Sequence, residues 1–347
     1  MKKSLFQSSG KFYKANLHGH STYSDGQNTV DELKEIYQKQ GYQVIAVTDH
    51  DVMIDNSHLT DDHFLALTGL EYEYNGLNPR RISYDFVKTY HFCLYAPRPD
   101  ETYYPQANPR YAMIGNAKEH IQDYCKGVAP HLFTFSYANK LIKDAHAHGF
   151  LISYNHPAWS VNTYKDYEKL GPFDFMECGN TTSFNAGFVN DFTDSVLQEF
   201  LSAGHRCFPT ATDDGHSPED YCKAWTMIRA DELSYDSVFS SMKRGDLYAS
   251  WGPEINEISY DPETGALEVL TSPVRHIALV TERRYAELAG NGKERIDGAE
   301  FNIRKYLEDC LAFASKPEDC FVRLILIDEM GNRAFSRAYF YGDFARL

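Results

Sequence analysis

The sequence predicts an α/β protein, with a parallel barrel followed by a smaller all-β domain. Three segments share the order helix, glycine, strand, and short apolar runs separated by turn residues follow residue 251. Repeated αβ units with short connections favour a barrel over an open sheet. A chain of 347 residues is long enough for both parts. We therefore divide it into domains at 1–251 and 252–347.

Each repeated unit is recognised by how its helix begins and ends. Thr29 and Glu32 have the spacing of a capping box at the start of the first helix. Gly41, Gly149 and Gly204 follow helical apolar stripes and suit helix ends. The strands of the three units are predicted at residues 42–47, 150–154 and 207–212. Further strands ending in the same layer are predicted at 64–67, 90–95 and 173–177.

The second domain is predicted from a change of pattern after residue 251. Strand-like apolar runs alternate here with turn sequences, which is typical of antiparallel sheets. The runs lie at 255–260, 267–270, 277–281, 321–327 and 334–341. They predict a small antiparallel β-sandwich, and its single histidine, His276, offers no ligand cluster.

The composition limits the classes of partner. The formal net charge is −15 and no Lys/Arg-rich run is present, which argues against long nucleic acid. No stretch approaches the roughly 18–20 apolar residues of a membrane span, so no membrane partner is expected. The seven cysteines are scattered without a CxxC pair, which favours free thiols and a cytoplasmic location. The oligomeric state is not predicted.

Histidines and carboxylates repeatedly follow the predicted strands. The motifs are HGHSTYSDG at 18–26, TDHD at 48–51, GLE at 69–71, NHP at 155–157 and DDGH at 213–216, with His91 inside a predicted strand. Strand ends of a parallel barrel converge on one face, where such residues would meet. Imidazole and carboxylate are the ligands of zinc, iron and manganese. The pattern therefore predicts a metal-dependent hydrolase.

At these motifs the chain resembles the PHP (polymerase and histidinol phosphatase) family of metal-dependent phosphoesterases, over roughly residues 12 to 250. The resemblance implies a distorted (β/α)7 TIM-like barrel holding two or three divalent metals. The sequences GDLYAS at 245–250, GP at 252–253 and SP at 272–273 resemble PHP proteins with an appended β-sandwich. Zinc, manganese and iron stay open as the metal.

The resemblance also implies which residues bind which metal. The first metal would be bound by His18, His20, Glu71 and Asp214. The second would share Glu71 and add His91 and His156. The third would be bound by Asp25, His50 and His216. Asp213 is the alternative to Asp214 as the ligand within the DDGH motif.

The implied reaction is hydrolysis of a small phosphate ester, a phosphomonoester or a nucleotide, by metal-activated hydroxide. Asp49 and Asp51 flank His50, so they either orient it or transfer a proton, or else cap the next helix. Residues 75–131 form a long irregular segment that is a lid, a binding loop or an ordinary insertion. Candidate substrate-binding residues are Arg80, Arg81, Arg98, Arg110 and His131. Glu177 and Asn180 either line the site or are structural.

Three alternatives stay open. The resemblance also admits a 3′–5′ exonuclease acting on short oligonucleotides. The same metal barrel could hydrolyse C–N or C–O bonds, as amidohydrolases do. A protein of another class would bind metal and a partner without turnover.

Overall fold

The computed structural model describes residues 1–75, 87–121 and 129–346. Its strands are β1 (Lys3–Ser4), β2 (Lys11–Asn16), β3 (Val44–Val47), β4 (Leu65–Asn75), β5 (Thr89–Tyr95), β6 (Leu151–Tyr154), β7 (Phe175–Asn180), β8 (Phe208–Thr212), β9 (Trp225–Ala230), β10 (Leu247–Ser250), β11 (Ile255–Asp261), β12 (Ala266–Val274), β13 (His276–Thr281), β14 (Ala286–Ala289), β15 (Ile296–Asn302), β16 (Phe321–Ile327), β17 (Arg333–Ser336) and β18 (Tyr339–Phe340). Its helices are α1 (Val30–Lys39), α2 (Phe135–Ala147), α3 (Tyr164–Tyr167), α4 (Thr181–Asn185), α5 (Ser195–Ser202), α6 (Tyr235–Arg244), α7 (Arg304–Phe313) and α8 (Tyr341–Ala345).

The three predicted helix–glycine–strand units are confirmed as α1 with β3, α2 with β6, and α5 with β8. Thr29 and Glu32 form the capping box, in which each side chain accepts a hydrogen bond from the backbone N–H of the other. Gly41, Gly149 and Gly204 have φ values of +79°, +83° and +88°. This left-handed conformation favours glycine, and in each unit it ends the helix shortly before the strand begins.

A 14-stranded mixed sheet contains most of the strands. Its order is β14-β13-β16-β17-β10-β9-β2-β3-β4-β5-β6-β7-β8, and β18 pairs with β16. The pairs β2/β3, β3/β4, β6/β7 and β7/β8 are parallel, as the αβ units require. The strand β5 instead runs antiparallel to both β4 and β6. The prediction of a wholly parallel arrangement is wrong at this strand and at β9, which runs antiparallel to β2 and to β10.

The sheet is strongly curved, because strands from both of its halves pack on one apolar cluster. Each strand from β2 to β10 contributes at least one side chain to that cluster. Ala15, Leu67, Tyr95, Phe175 and Ile228 are examples, and all five are buried. Alternate side chains of a strand point to the same face, so this cluster is the inside of the curve.

The predicted closed barrel is not confirmed. Within the described residues the ladder stays open between β8 and β9, where a side chain replaces the backbone hydrogen bonds. The hydroxyl of Thr226 accepts a hydrogen bond from the N–H of Ala211 at 3.1 Å and donates one to its carbonyl at 3.0 Å. The region is therefore a mixed α/β fold with a large curved sheet.

The C-terminal part consists of two antiparallel sheets facing one another. One has the order β1-β11-β12-β15, and the other is the end of the large sheet from β14 to β17. One apolar cluster, which includes Ile258, Val269, Leu279 and Leu324, takes side chains from both sheets. The predicted strands are present, but β1, β14, β15 and α7 were not predicted. The segment predicted as strand 334–341 is divided between β17, β18 and the start of α8.

The two parts of the chain share one ladder. Strand β10 pairs with β9 on one side and with β17 of the C-terminal part on the other. The N-terminal strand β1 pairs with β11. Among the described residues, no helix has the length and apolar character needed to cross a membrane.

Candidate metal centre

The HGH, TDHD and DDGH motifs lie where the ladder of the large sheet continues beyond its regular strands, and the GLE motif lies inside β4. Gly19 forms an isolated parallel bridge with Gly215, and His50 forms one with Glu71. The N–H of His20 donates to the carbonyl of Gly215 at 3.0 Å, and the N–H of Asp214 donates to that of His18 at 2.9 Å. Backbone hydrogen bonds thus set the HGH, TDHD, GLE and DDGH motifs in register with each other.

The antiparallel strand β5 brings His91 to the same place from the opposite direction. In its pairing with β4, His91 lies opposite Glu73 and two residues from the partner of Glu71. Side chains two residues apart on a strand share a face. The Nδ1 of His91 is 3.2 Å from Oε1 of Glu71. Its position inside a strand explains why no flanking motif marks His91 in the sequence.

All nine sequence-predicted ligands come together in three overlapping groups. In each group one ligand atom per residue lies within 4.8 Å of the others. The groups are His18, His20, Glu71 and Asp214; then Glu71, His91 and His156; then His20, Asp25, His50 and His216. They correspond to the three sets implied by the resemblance, and His20 is an additional member of the third.

Glu71 is shared because its two carboxylate oxygens face different histidines. Oε1 lies 3.1 Å from Nε2 of His18 and 3.3 Å from Nε2 of His156. Oε2 lies 3.5 Å from Nε2 of His20 and 3.4 Å from Nδ1 of His50. A carboxylate with its oxygens divided in this way has the arrangement of a ligand that bridges two cations.

Glu177 is the residue that sequence reasoning left undecided and the structure places directly behind the ligands. Its Oε1 accepts from Nδ1 of His18 and from the hydroxyl of Thr212, both at 2.7 Å. Its Oε2 accepts from the N–H of His156 and from Nδ2 of Asn180, both at 3.0 Å. With Nδ1 of His18 donating, Nε2 presents its lone pair to the first group.

Asp213 and Asp214 have distinct environments. Asp213 accepts hydrogen bonds from the backbone N–H groups of residues 222, 223 and 224, and it lies outside the three groups. Oδ1 of Asp214 lies 3.0 Å from Nε2 of His20 and 3.2 Å from Nε2 of His18. Of the two aspartates of the DDGH motif, Asp214 is thus the one that lies among the clustered histidines.

The donor set fits divalent cations. Several buried ring nitrogens have no hydrogen-bond partner among the described residues, namely Nδ1 of His20, Nδ1 of His50 and both nitrogens of His91. Burying such groups without a partner is costly unless a ligand completes them. Imidazoles beside carboxylates in this number form a site that suits zinc, manganese or iron.

The electrostatics of the protein without metal agree with this fit. Burial lowers the pKa of His20, but hydrogen bonds with Asp214 and Glu71 outweigh it and raise the pKa to about 10. Burial also lowers the pKa of His91, but the negative charge of Glu71 outweighs it and raises that pKa to about 10. For Glu71 itself, His18 and His91 outweigh burial and lower the pKa. Without metal, the carboxylates thus keep protons on these histidines, and the protons supply the positive charge that bound cations would otherwise supply.

The three groups lie at one wall of a cavity of about 500 Å³. The remaining lining residues, which the sequence did not single out, are Glu73, Asn75, Ile114, Trp159, Thr182 and Ser183. Trp159 packs its ring edge-on against His91 and His156, with centroids 5.2 and 5.0 Å apart. Among the described lining residues, no lysine or arginine is present.

The two aspartates flanking His50 do not line this cavity. Asp49 accepts hydrogen bonds from the N–H and the hydroxyl of both Ser21 and Ser24, at 2.6–3.1 Å. Both oxygens of its carboxylate thus bind the loop that carries His20, three of the hydrogen bonds ending on Oδ1 and one on Oδ2. Asp51 is buried 3.6 Å from Nδ1 of His131, and burial followed by Glu73 raises its pKa well above the usual range.

The predicted substrate-binding residues are placed elsewhere or lie outside the described residues. His131 stacks between Tyr74 and Tyr111 and meets the carbonyl of Gln106 at 3.0 Å, so it is a packed residue behind the cavity. Arg98 is exposed and paired with Asp100 and Glu101. Arg110 is exposed and does not line the cavity. Arg80 and Arg81 fall outside the described residues.

Comparisons with known proteins agree with the motifs. A family profile for the PHP domain matches residues 16–168. A two-domain protein from Bacteroides vulgatus ATCC 8482, containing a predicted PHP-like metal-dependent phosphoesterase, is 13% identical, with 95% of this chain and 96% of that chain covered and a TM-score of 0.45. The lesion-specific endonuclease PfuEndoQ from Pyrococcus furiosus is 16% identical, with 67% of this chain and 56% of that chain covered and a TM-score of 0.39.

An amidohydrolase from Chromobacterium violaceum is 14% identical, with 59% of this chain and 89% of that chain covered and a TM-score of 0.36. No match was found among curated proteins. The structural likenesses are distant, and the family profile carries the assignment. It begins at the end of β2 and includes seven of the nine clustered ligands, from His18 to His156. Residues 16–168 of the chain therefore match the PHP domain profile.

Proposed function

We propose that the chain hydrolyses a small phosphate ester at a centre of two or three divalent metals. The carrying observation is the division of Glu71 between two sets of histidines, since a bridging carboxylate is what a multinuclear hydrolytic centre needs. The residues proposed to bind the metals are those of the three groups. Zinc, manganese and iron all suit them.

The charge of the cavity supports a role for metal in binding the substrate. Four carboxylates line it, from Asp25, Glu71, Glu73 and Asp214, and no cationic side chain lies among its described lining residues. A phosphate group would be repelled by this wall unless cations were bound there. Bound divalent cations would neutralise the phosphate and lower the pKa of a bound water towards neutrality.

The side chains of the chain itself do the positioning. Glu177 fixes the ring of His18, and Nδ2 of Asn155 donates to Oε1 of Glu71 at 2.8 Å. The carbonyl of Asp214 accepts from Nδ1 of His216 at 2.8 Å, so Nε2 of that ring faces Asp25. Trp159 packs its ring edge-on against both histidines of the second group. Each ligand is therefore held before a substrate arrives.

We also propose a reducing compartment, the cytoplasm, as the location. The six cysteines that the structure describes are free, and five of them are buried. Free thiols in this number are typical of proteins that are not exposed to an oxidising environment.

The test combines metal analysis with turnover on the full chain. We expect two or three metals per chain, and chelator-sensitive hydrolysis of p-nitrophenyl phosphate or of its bis ester. His18→Ala should lose metal and turnover, while His58→Ala, an exposed histidine away from the groups, should keep both. The preference between the mono and bis esters separates a phosphomonoesterase from a diesterase acting on short oligonucleotides.

Two results would contradict the proposal. One is a chain that binds no metal after metal-supplemented purification. The other is a fully metal-loaded, folded chain that hydrolyses neither ester but does hydrolyse p-nitrophenyl acetate or an anilide in a chelator-sensitive manner, because that would transfer the centre to acyl chemistry. Circular dichroism of His18→Ala distinguishes lost metal from lost folding, and the chelator experiment does not depend on that variant.

A further inference from the structure

A second cavity of about 750 Å³ adjoins the metal cavity. The short helix α4 separates the two, since Thr181 lines the second cavity while Thr182 and Ser183 line the metal cavity. Its other walls come from the end of α4 and the segment after it, within residues 184–193, and from residues 330–333, which are the turn before β17 and the first residue of that strand. The C-terminal part of the chain therefore forms one wall of a space next to the proposed catalytic centre.

The two cavities have opposite charge. The second cavity is lined by two cationic side chains, Lys223 and Arg333, and by no carboxylate among its described residues. In the described parts of the chain, neither cation has a carboxylate within ion-pair distance. Both side chains line the same concave surface, so their charges are not neutralised by the protein there. Unpaired cations facing a concave surface are typical of an anion-binding site.

The same cavity offers apolar surface for a planar group. Phe184, Val189 and Met330 line it and are 47%, 58% and 80% exposed. Phe192 and Trp251 also line it, packed edge-to-face with their centroids 4.7 Å apart. Exposed large apolar side chains gathered around one concavity indicate a binding surface more than scattered ones do.

The wall contributed by the C-terminal part is held in place by its own hydrogen bonds. Oδ1 of Asp328 accepts from the N–H groups of Met330 and Asn332, both at 2.8 Å. The N–H of Trp251 donates to the carbonyl of Arg333 at 3.1 Å. At Gly252 a Cβ would lie 2.5 Å from the Cβ of Asn332, so only glycine permits this close approach. Arg333, at the start of β17, is therefore held by its own strand and by the hydrogen-bonded turn before it.

We infer that the second cavity binds the part of the substrate that lies beyond the scissile phosphate ester, and that this part is an aromatic group carrying an anionic substituent. The inference rests on the proposed function, which places the phosphate at the metals on the other side of α4. Lys223 and Arg333 pair with the anion, and the apolar side chains contact the ring. This gives the C-terminal part a role in substrate selection.

The kinetic test compares 2-naphthyl phosphate with 6-sulfo-2-naphthyl phosphate, which share a scissile bond and differ in the distal anion. We expect kcat/KM of the wild type to favour the sulfonated ester. In Lys223→Met and in Arg333→Met this preference should fall about tenfold, which is the size of one hydrogen bond to a charged group. The preference is the ratio of kcat/KM for the two esters within each variant, so a loss common to both esters cancels. Arg98→Met, which alters an exposed arginine outside both cavities, is the matched control.

A binding measurement separates this inference from the proposed function. 6-Hydroxynaphthalene-2-sulfonate is titrated by its own fluorescence against the full chain, with and without metal. Binding that weakens in Lys223→Met and Arg333→Met supports the subsite even if no phosphate ester is turned over. Normal turnover of 2-naphthyl phosphate, with a sulfonate preference and a sulfonate affinity that neither variant changes, overturns the inference and leaves the proposed function intact.

Discussion

Glu177→Gln changes one buried atom behind the ligands and tests how the histidines are held. The carboxylate of Glu177 accepts four hydrogen bonds, from His18, Thr212, His156 and Asn180. Glutamine has the same shape but one acceptor oxygen, and its NH2 group faces donors that were paired before. The ring of His18 is then no longer fixed with Nε2 towards the first group.

The magnitude follows from counting these donors. One amide oxygen can serve two of the four donors, so two buried donors lose their acceptor. Each such loss costs about 1–3 kcal/mol, so the free energy of unfolding of the metal-free chain should fall by about 2–6 kcal/mol. Residues that orient a metal-binding histidine typically contribute about 10- to 100-fold in metal affinity. We expect a loss of metal affinity in that range.

The assay is a competition titration of Mn²⁺ or Zn²⁺ with a chromophoric chelator, beside urea denaturation of the metal-free chain. Glu219→Gln makes the same chemical change on the exposed surface and should leave both quantities unchanged. Thr212→Val removes a single donor and should give a smaller loss, which keeps the test informative if Glu177→Gln is poorly folded. Metal affinity of folded Glu177→Gln within twofold of the wild type would refute the reasoning.

Three further outcomes are expected. Asp49→Asn should lower the free energy of unfolding by about 1–3 kcal/mol through lost hydrogen bonds, and a urea midpoint equal to that of the wild type would contradict this. Gly26→Ala should lower the metal content, because its Cβ would lie 2.3 Å from the carbonyl oxygen of His20. Gly342→Ala is the control, since its Cβ would meet no atom within 4 Å, and it should leave the metal content unchanged. Elemental analysis compares the two variants. The pKa values of His20 and His91 are raised to about 10 in the metal-free chain, so their stabilising contribution is complete below about pH 6.5 and is lost as the pH rises towards 10. Since metal displaces those protons, the affinity of the chain for metal should rise over the same pH range. Metal titrations at several pH values that show a flat or falling affinity would count against these histidines as ligands.

The nine clustered ligands could be predicted because strand ends and ligand motifs coincide in the sequence. The HGH, TDHD and DDGH motifs each follow an apolar run, and parallel strands bring their ends to one edge. His91 was the weakest of these predictions, since it lies within β5 and that strand runs antiparallel to its neighbours. Strand direction depends on how the sheet pairs, which a local sequence pattern does not encode.

The residues around the ligands were harder to predict, because the chemical type of a residue says little about which partner its side chain faces. Asp49 and Asp51 have the same neighbour, His50, yet the first is bonded to the loop of His20 and the second is buried beside His131. Glu177 follows a predicted strand, and this position was the signal for its role. Arg98 was a poor candidate, since its positive charge is paired with acidic neighbours only two and three residues away in sequence.

The hydrogen bonds between β10 and β17 have a consequence for how the chain folds. A truncated chain ending at residue 251 would leave β10 as an exposed strand edge, and such edges promote aggregation. The two parts of the chain should therefore unfold in one cooperative transition, and amide hydrogens on β9, β10 and β17 should exchange at similar rates. Destabilising substitutions in the C-terminal strands should then lower the metal content, although they lie far from any ligand.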